Sequence, residues 1–208
     1  MKKVNVIGLG YIGLPTALMF ATHGVEVIGT DYNKELVETL NNGRTTFEEK
    51  GLDQLFQTAL KQGIKFTTNY MKEDVYIISV PTPYIKENKK IDPQYVISAI
   101  ETVLDVCNKG AILIIESTIS PGTIDKFIRP IIVKKGFKIG EDIHLVHAPE
   151  RIIPGNMMYE LEHNSRTIGA DNKEIGEQVK ELYSSFCQGE IVVTDIKTAE
   201  MTKVVENT

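Results

Sequence analysis

The chain has 208 residues, of which 42% are hydrophobic, and it carries a formal net charge of −5. This length can bury a substantial core in one large domain or in one-and-a-half ordinary ones. The acidic balance argues against a nucleic-acid surface, and no apolar stretch approaches the roughly 20 residues of a membrane span. The N-terminal MKKVNVIGLG lacks the cleavage region of a signal peptide, so we expect a cytoplasmic protein with a small-molecule partner.

The first predicted element is a short apolar strand that runs directly into residues 8–13, GLGYIG, and then into a helical pattern from Leu14. In this setting Gly8 permits a tight turn, Gly10 lets the backbone approach a pyrophosphate, and Gly13 lets the helix pack closely on the strand. The free N–H groups at the start of the helix would bind the anion. The pattern predicts a dinucleotide-binding loop, and a glycine-rich turn without a ligand is the alternative.

A second apolar strand, residues 25–30, ends in Asp31. In dinucleotide-binding folds an acid at this place accepts hydrogen bonds from the adenosine ribose, and its charge would repel a ribose 2′-phosphate. The glycine loop and Asp31 together predict NAD as the cofactor, in preference to NADP.

The remainder of the chain alternates strands and helices nearly to its end. Predicted strands cover residues 64–67, 75–80, 111–115, 143–146, the region of 167–168, and 191–194. Predicted helices cover residues 34–41, 52–61, 94–107, 120–133, a short segment after Gly155, 172–186 and 198–207. This alternation predicts an α/β fold, a doubly wound parallel sheet of the Rossmann type with an appended αβ extension.

In doubly wound sheets, ligands bind outside the carboxyl ends of the strands, so the residues that follow each strand are the candidate site residues. Beyond the glycine loop and Asp31, these residues lie in three loops, 80–83, 116–118 and 148–155. The first of them contains Pro81-Thr82-Pro83, which must be a loop because proline excludes both continued helix and ladder pairing.

Two of these loops leave a functional and a structural interpretation open. Thr118 could face a ligand or contribute to the cap of the helix that follows, for which Ser120 is the more obvious residue. Glu150 and Arg151 place a carboxylate and a guanidinium side by side on a proline-containing turn, where they could also form an ordinary surface ion pair.

The last predicted helix places Lys203 and Asn207 four residues apart, on one face. An ammonium and a carboxamide in this arrangement can stabilise an oxyanion or hold a sugar hydroxyl. From the pattern alone, a solvated helix face is the competing interpretation.

Neither the cysteines nor the histidines predict a reactive or metal site. Cys107 and Cys187 lie far apart without the spacing of a disulfide framework or a zinc site, and we expect both to be packing residues. His144 and His147 are three residues apart on a strand, so they point to opposite faces and cannot share a metal. We expect no metal.

Together these motifs resemble one family over essentially the whole chain, the UDP-glucose/GDP-mannose dehydrogenases, which oxidise C6 of a nucleotide sugar to a carboxylate with two NAD. The resemblance is carried by GLGYIGLPTA, Asp31, VPTP, ESTISPGT, APERIIPG and TAEMTKVVEN. Within the family, PERIIPGN, NSRTIGA and the TAEM helix are most similar to the UDP-N-acetyl-D-mannosamine dehydrogenases, whereas the UDP-glucose branch usually shows a PEFLREG-type version of the first.

The resemblance implies a domain organisation as well as an activity. Residues 1–196 would form the NAD-binding Rossmann domain, and residues 197–208 would be the start of a connecting helix, with the central and UDP-binding domains absent from the 208 residues. Members of the family usually dimerise through that helix, so a homodimer is implied for the full-length enzyme. The implied pathway is the synthesis of a surface polysaccharide such as a capsule.

The resemblance also implies roles for individual residues. NAD would be contacted by Gly8, Gly10, Tyr11, Ile12, Gly13, Asp31, Thr82 and Thr118. Arg151 and Ile152 would contact the nucleotide sugar, and Glu150 would organise water or a proton near the reacting carbon. Lys203 would stabilise the developing alkoxide or oxyanion, and Asn207 would share that task and help to hold the substrate.

One part of the family pattern is missing from the 208 residues. The family performs its second oxidation through a thiohemiacetal and then a thioester on a cysteine in a GGxC-like motif downstream of the Lys/Asn helix. Because neither Cys107 nor Cys187 lies in such a motif, we expect this chain to bind NAD without completing the reaction.

Three alternatives stay open. The substrate could be another UDP-sugar, UDP-N-acetylglucosamine or UDP-glucose. A 3-hydroxyacid or 6-phosphogluconate-type dehydrogenase would share the glycine loop and the Lys/Asn helix, although PERIIPG and VPTP fit it poorly. A non-catalytic NAD-sensing module is the alternative of a different class.

Overall fold

A computed structural model of the chain describes residues 3–87, 90–152 and 155–206. Its ten strands within those ranges are β1 (Lys3–Ile7), β2 (Glu26–Thr30), β3 (Lys65–Thr67), β4 (Val75–Ile78), β5 (Tyr84–Ile85), β6 (Lys90–Ile91), β7 (Ala111–Ile115), β8 (Ile143–His147), β9 (Arg166–Ala170) and β10 (Ile191–Thr194). Its α-helices there are α1 (Gly13–Thr22), α2 (Lys34–Asn41), α3 (Leu52–Lys61), α4 (Gln94–Val106), α5 (Arg129–Lys134), α6 (Met157–His163), α7 (Lys173–Tyr183) and α8 (Ile196–Glu206).

Eight of the strands form one sheet, in the order β10-β9-β8-β7-β4-β1-β2-β3. The strand order reverses between β1 and β4, and ligands of doubly wound sheets bind at such a reversal. The predicted doubly wound Rossmann-type sheet with an appended αβ extension is thereby confirmed, the extension being β9, α7 and β10. The sheet differs from a wholly parallel one at a single junction, because β9 runs antiparallel to β8, with His147 opposite Gly169.

The central strands form because their sequences are apolar on both faces. All residues of β4 (VYII) and β7 (AILII) are buried, as expected for parallel strands covered by helices on both sides. Along β7, Ile112 and Ile114 join the core that includes α1, α3 and α7, whereas Leu113 and Ile115 join the core that includes α4 and α5. This packing leaves polar side chains to the strand ends, where the candidate site lies.

Most predicted elements are confirmed, α2, α3, β7 and β10 with the predicted bounds. The helix predicted over residues 120–133 differs, since the structure has a π-helical turn at Ile124–Ile128 followed by α5. Pro130 explains the difference, because proline lacks an N–H and its ring collides with the carbonyl four residues earlier. A wider turn before the proline relieves that collision.

A small antiparallel hairpin, β5 and β6, follows the predicted loop at Pro81-Thr82-Pro83 and pairs Tyr84 with Ile91. The sequence did not predict it, because two-residue strands are too short to show an alternating pattern. Among the helices of the three described ranges, none is long and apolar enough to cross a lipid bilayer.

Candidate functional site

The three glycines of the loop after β1 meet three different steric requirements. Gly8 has a φ of 91°, and a Cβ there would lie 2.6 Å from the Ser79 carbonyl oxygen. A Cβ on Gly13 would lie 1.8 Å from the Gly8 carbonyl oxygen, whereas a Cβ on Gly10 would meet nothing within 4 Å. The structure therefore agrees with the predicted turn at Gly8 and the predicted close packing at Gly13. Gly10 faces open space, as a loop that approaches a pyrophosphate requires.

Asp31, at the carboxyl end of β2, is nearly buried. Its Oδ2 accepts a hydrogen bond from the Leu9 N–H at 2.8 Å, and its Oδ1 accepts one from the Asn33 N–H at 2.9 Å. Asp31 therefore ties the glycine loop to the end of β2, a structural role that the sequence did not reveal. A carboxylate offers about four lone pairs, so both oxygens can still accept from ribose hydroxyls.

A cavity of about 350 Å³ opens beside Gly8 and Asp31. Three tyrosines, Tyr32, Tyr70 and Tyr95, line it together with apolar side chains. Tyr70 and Asp31 both line this cavity, where burial raises the pKa of Tyr70 and the charge of Asp31 raises it further. An aromatic slot beside an acid suits a purine base with its ribose on the carboxylate. The residues present therefore fit the adenosine end of NAD.

The sequence did not point to this tyrosine slot, formed by Tyr32, Tyr70 and Tyr95. Tyr70 follows β3, and Tyr95 lies in the first turn of α4. A usable signal was the position of Tyr70 just beyond a strand, at the edge of the sheet where ligands bind.

Tyr11, a predicted NAD contact, is turned toward the loop between α2 and α3. Its hydroxyl donates to Oε2 of Glu49 at 2.8 Å, and its ring lies 5.0 Å from that of Phe47. Glu49 also accepts from the Gly155 and Met157 N–H groups at 3.2 and 3.4 Å, and the Tyr11 hydrogen bond lowers the pKa of the Glu49 carboxyl. The glycine loop is thus joined through Glu49 to the start of α6.

The loops after β4 and β7 are joined to each other. The Thr82 hydroxyl donates to the Thr118 carbonyl oxygen at 2.7 Å, and the Ser117 hydroxyl donates to the Val80 carbonyl oxygen at 2.8 Å. The Thr118 side chain is exposed, and Ile12 lies half-buried at the start of α1. The predicted NAD contacts of Thr82, Thr118 and Ile12 stay predictions.

The prediction that Ser120 caps the following helix is wrong. The carboxylate of Glu200, on α8, accepts from the Gly122 N–H at 2.6 Å and from the Ile124 N–H at 3.1 Å. A buried carboxylate from a distant helix satisfies these amides in place of a local hydroxyl. Glu200 therefore fixes α8 against the segment that follows Thr118.

Glu150 lies in a buried ion pair rather than in the surface pair with Arg151 that was its alternative interpretation. Glu150 is buried, and its Oε2 forms an ion pair with Nη2 of Arg166, the first residue of β9. The other oxygen, Oε1, accepts from the Arg151 backbone N–H at 2.7 Å. The Arg151 guanidinium instead donates to Ser165, at its carbonyl oxygen and at its hydroxyl. Arg166 was missed because it begins a strand, and the sequence directs attention to the residues that follow strands.

Behind Glu150, a second buried carboxylate, Glu116, accepts from the Tyr183 hydroxyl at 3.2 Å and from the Thr16 hydroxyl at 3.2 Å. Burial raises the pKa of Glu116 to about 7. His147, at the end of β8, is fully buried with Nδ1 2.8 Å from the Ile115 carbonyl oxygen, and burial lowers its pKa to about 4. His144 is only half-buried, consistent with its predicted position on the opposite face of the strand.

Lys203 lies half-buried on α8. Burial lowers the pKa of its ammonium group, the charge of Glu150 opposes that shift, and the charge of Arg151 adds to it. The fold therefore brings these three predicted site residues within electrostatic range of one another. Asn207, predicted to act beside Lys203, lies outside the described residues, and Ile152 is half-buried against the core.

The two cysteines have the packing roles that the sequence predicted. Cys187 is buried in the core, with its thiol 3.4 Å from the Asn164 carbonyl oxygen. Cys107 is half-buried at the end of α4, and burial raises the pKa of its thiol. A raised thiol pKa lowers the thiolate population that nucleophilic attack needs.

Residues 2–187 match the family model of the NAD binding domain of the UDP-glucose/GDP-mannose dehydrogenase family. The UDP-N-acetyl-D-mannosamine dehydrogenase of Methanococcus vannielii is 45% identical over 212 residues, which cover 100% of this chain and 48% of that protein. The solved UDP-N-acetyl-mannosamine dehydrogenase of Staphylococcus aureus is 46% identical with a TM-score of 0.93, and covers 99% of this chain and 50% of its own.

A more distant solved structure, the GDP-mannose dehydrogenase of Pseudomonas aeruginosa, is 26% identical with a TM-score of 0.90 over 100% of this chain and 49% of its own. The likeness in fold therefore extends across relatives whose names state different nucleotide sugars. This chain spans about half the length of the relatives that it matches.

Proposed function

Because the chain belongs to the UDP-glucose/GDP-mannose dehydrogenase family, we propose that it supplies the NAD-binding half of a nucleotide-sugar 6-dehydrogenase. Residues 1–196 form the NAD-binding Rossmann domain in this proposal, and residues 197–208 begin a connecting helix. The proposal rests on one observation. The carboxyl edge of one sheet carries three features together: a steric opening at Gly10, an acid with an aromatic slot, and a lysine beside Glu150.

On the cofactor side, the chain's residues would hold the two ends of NAD. The glycine loop and the first N–H groups of α1 bind the pyrophosphate, Asp31 accepts from the adenosine ribose, and the tyrosine slot covers the adenine. Thr82 and Thr118 lie further along the same edge, at the place for the nicotinamide end. When bound, NAD accepts the hydride from C6 of the sugar.

On the substrate side, we propose UDP-N-acetyl-D-mannosamine, oxidised to the uronate with two NAD. The identity of 45% to a relative named for that substrate supports this choice over UDP-N-acetylglucosamine or UDP-glucose. Arg151 and Ile152 would contact the nucleotide sugar. Lys203 and Asn207 would stabilise the developing alkoxide, and Glu150 would accept or organise a proton near C6.

The half-buried ammonium of Lys203 suits that task. Burial makes a positive charge more effective toward a developing negative charge than it would be in water. The same burial lowers its pKa, and the nearby Glu150 carboxylate opposes this shift and so favours the charged form. We do not assign the thiol of the second oxidation to Cys107 or Cys187, since both are packed in the fold.

Three broader features rest on the resemblance to the family. They are a cytoplasmic location, a place in the synthesis of a surface polysaccharide, and a homodimer formed through the connecting helix. The exposure of three apolar side chains on α8, 46% at Met201, 44% at Val204 and 66% at Val205, is consistent with a helix that is covered in the longer protein.

The test is NADH formation by the full-length protein that contains this chain. UDP-N-acetyl-D-mannosamine, UDP-N-acetylglucosamine, UDP-glucose and GDP-mannose would be compared at equal concentration, and the first should give the highest kcat/KM. A higher value with another UDP-sugar would reassign the substrate. NAD binding without turnover of any of the four would indicate the NAD-sensing module instead. The 208-residue chain alone should bind NAD without releasing the uronate.

A further inference from the structure

The pairing of Glu150 with Arg166 follows from the one antiparallel junction of the sheet. The ladder between β8 and β9 places Val146 opposite Ala170 and His147 opposite Gly169. Extended by three residues, the same register places Glu150 opposite Arg166, and these two side chains form an ion pair. Directly opposite residues of antiparallel strands have Cβ atoms about 5 Å apart. The backbone register, rather than a chance reach of long side chains, sets this pair.

Arg166 is held from several sides in the interior. It is 4% exposed, and its guanidinium carbon lies 4.7 Å from the centre of the Tyr183 ring and 5.5 Å from that of Phe186. Two carboxylates face it, Glu150 in direct contact and Glu116 with Oε1 3.9 Å from Nη1. Burying a charge is costly unless it is paired, so this cation has a defined electrostatic task.

The network around Arg166 joins the two sides of the candidate site. Glu116 follows β7 and accepts from Thr16 on α1, the helix that begins at the glycine loop. Glu150 pairs with the other terminal nitrogen of the guanidinium, Nη2, and lies within electrostatic range of Lys203. Glu150 therefore lies between a buried cation on β9 and a half-buried cation on α8.

We propose that Arg166 is a positioning residue for Glu150, whose carboxylate it holds in one orientation at the edge where the nucleotide sugar reacts. This inference rests on the proposed function. It assigns Arg166 no contact with the substrate or the cofactor, because the Glu150 carboxylate lies between the guanidinium and the site.

The ion pair between Arg166 and Glu150 suits the proton chemistry proposed for Glu150. A carboxylate that accepts or orders a proton must be ionised before the reaction and must point at one place. A neighbouring cation favours the ionised form, and a guanidinium in a fixed plane restricts the orientation of the carboxylate. The charged groups that face Glu150 are Arg166 from β9, Lys203 from α8, Arg151 from its own loop, and Glu116 from the end of β7.

The principal variant is Arg166→Met in the full-length protein that contains this chain. We expect kcat for UDP-N-acetyl-D-mannosamine to fall by about 10- to 100-fold, less than the loss of about 10²- to 10⁴-fold that removal of a proton-transfer group causes. The KM for NAD should stay within about twofold.

The matched control is Arg129→Met. Arg129 also pairs with a carboxylate, Asp171, through two nitrogens at 2.6 Å, but Asp171 lies at the opposite end of β9 from Arg166. This variant should leave kcat and its pH profile unchanged. Arg166→Lys should recover part of kcat, because an ammonium keeps the charge and loses the planar fork.

A double-variant cycle with Glu150→Gln distinguishes an effect of Arg166 that acts through Glu150 from a general disturbance of the structure. If Arg166 acts through Glu150, adding Arg166→Met to Glu150→Gln should change kcat by less than about twofold. A further 10-fold loss in that background would overturn the proposal, as would an unchanged kcat in Arg166→Met.

A further variant keeps the proposal testable. If Arg166→Met fails to fold, Glu116→Gln with Arg166→Met removes one negative and one positive charge together, and the kcat loss should persist in it. If the wild-type protein oxidises none of the nucleotide sugars, the proposed function fails. If it oxidises one of them and Arg166→Met leaves kcat unchanged, the proposed function stands and the role assigned to Arg166 fails.

Discussion

The two halves of the candidate site differ in how far apart in the sequence their partners lie. In the glycine-loop half, formed by residues 8–13, Asp31 and the tyrosine slot, the hydrogen bond from Leu9 to Asp31 spans 22 residues. The charged half is formed by Glu116, Glu150, Arg166, Lys203 and Glu200. Its contacts reach across 100 residues to Thr16 and across 78 to Gly122. The glycine loop and Asp31 are a local motif, whereas the tyrosine slot and the charged half exist only after the sheet has assembled.

The halves also differ in their chemistry. The glycine-loop half relies on backbone N–H groups, missing side chains and one acid at an open cavity. The charged half buries three carboxylates and a guanidinium, and such groups depend on one another for their charge state. Substitutions in the first half should therefore act on cofactor binding, and substitutions in the second on turnover and on the pH dependence of stability.

The largest expected effect concerns the cofactor preference set by Asp31. A 2′-phosphate would meet this carboxylate in a partly desolvated groove, and like charges placed together in this way cost several kcal/mol. NAD should therefore bind about 1000-fold more tightly than NADP, as measured by calorimetry. Asp31→Asn should reduce the ratio between the affinities for NAD and NADP. Equal affinities of the unaltered chain for the two cofactors would remove the role assigned to Asp31.

Lys203→Ala in the full-length protein tests the charged half. If Lys203 faces the reacting oxygen, kcat should fall about 100- to 1000-fold with little change in NAD affinity, because the charge that it stabilises exists only as the reaction proceeds. Asn207→Ala should lose somewhat less, being uncharged. Steady-state kinetics and NAD binding on the same variants separate turnover from cofactor affinity. Near-wild-type turnover of Lys203→Ala would indicate that Lys203 lies on a solvated helix face and has no role in the reaction.

Gly13→Ala and Gly10→Ala form a matched pair within the glycine-loop half. The added methyl at Gly13 collides with the Gly8 carbonyl oxygen at 1.8 Å, so we expect the free energy of unfolding to fall by about 3 kcal/mol. The methyl at Gly10 meets no protein atom within 4 Å and should weaken NAD binding alone. Urea unfolding and calorimetry on both variants provide the measurement. Equal losses of stability would contradict the separate roles of the two glycines.

The smallest net effect is a pH dependence in which two buried groups oppose each other. His147, with a folded pKa of about 4 against 6.5, stays neutral while the unfolded chain binds a proton, so it destabilises the fold as the pH falls below 6.5. Glu116, with a folded pKa of about 7 against 4.5, binds a proton that the unfolded chain releases, so it stabilises the fold as the pH falls below 7.

Glu116→Gln should therefore unmask a loss of up to about 3 kcal/mol as the pH falls from 6.5 to 4. Urea unfolding at a series of pH values measures it, with His147→Asn as the variant that should show the opposite slope. Parallel stability profiles for Glu116→Gln and the wild type would show that Glu116 does not titrate in this range.

Sequence reasoning was strongest where a residue's task is set by its neighbours in the chain. The turn at Gly8, the packing at Gly13 and the bounds of α2, α3 and β7 agree with the predictions, since chain geometry and apolar pattern determine them locally. Sequence reasoning was weakest where a residue's hydrogen-bond or ion-pair partner comes from a distant part of the chain. Ser120 was the obvious local cap, and Glu200, 78 residues after Gly122, supplies the cap instead.

The partner of Glu150 also comes from elsewhere in the fold. Adjacency in the sequence offered a pair with Arg151 as the alternative interpretation, but neighbouring residues on an extended segment point to opposite sides. No local sequence pattern predicts the antiparallel direction of β9. This direction brings Arg166 to the carboxyl edge of the sheet. Had β9 run parallel to β8, its first residue would lie at the other end of the sheet, remote from the site.

The sequence by itself determined the class of the fold, the dinucleotide loop and the family, because glycine spacing and strand patterning act over short stretches of chain. Only the tertiary structure decided which charges meet. Burial multiplies the strength of an electrostatic contact, and burial depends on how distant strands and helices pack, which is set by the whole sheet rather than by any segment of it.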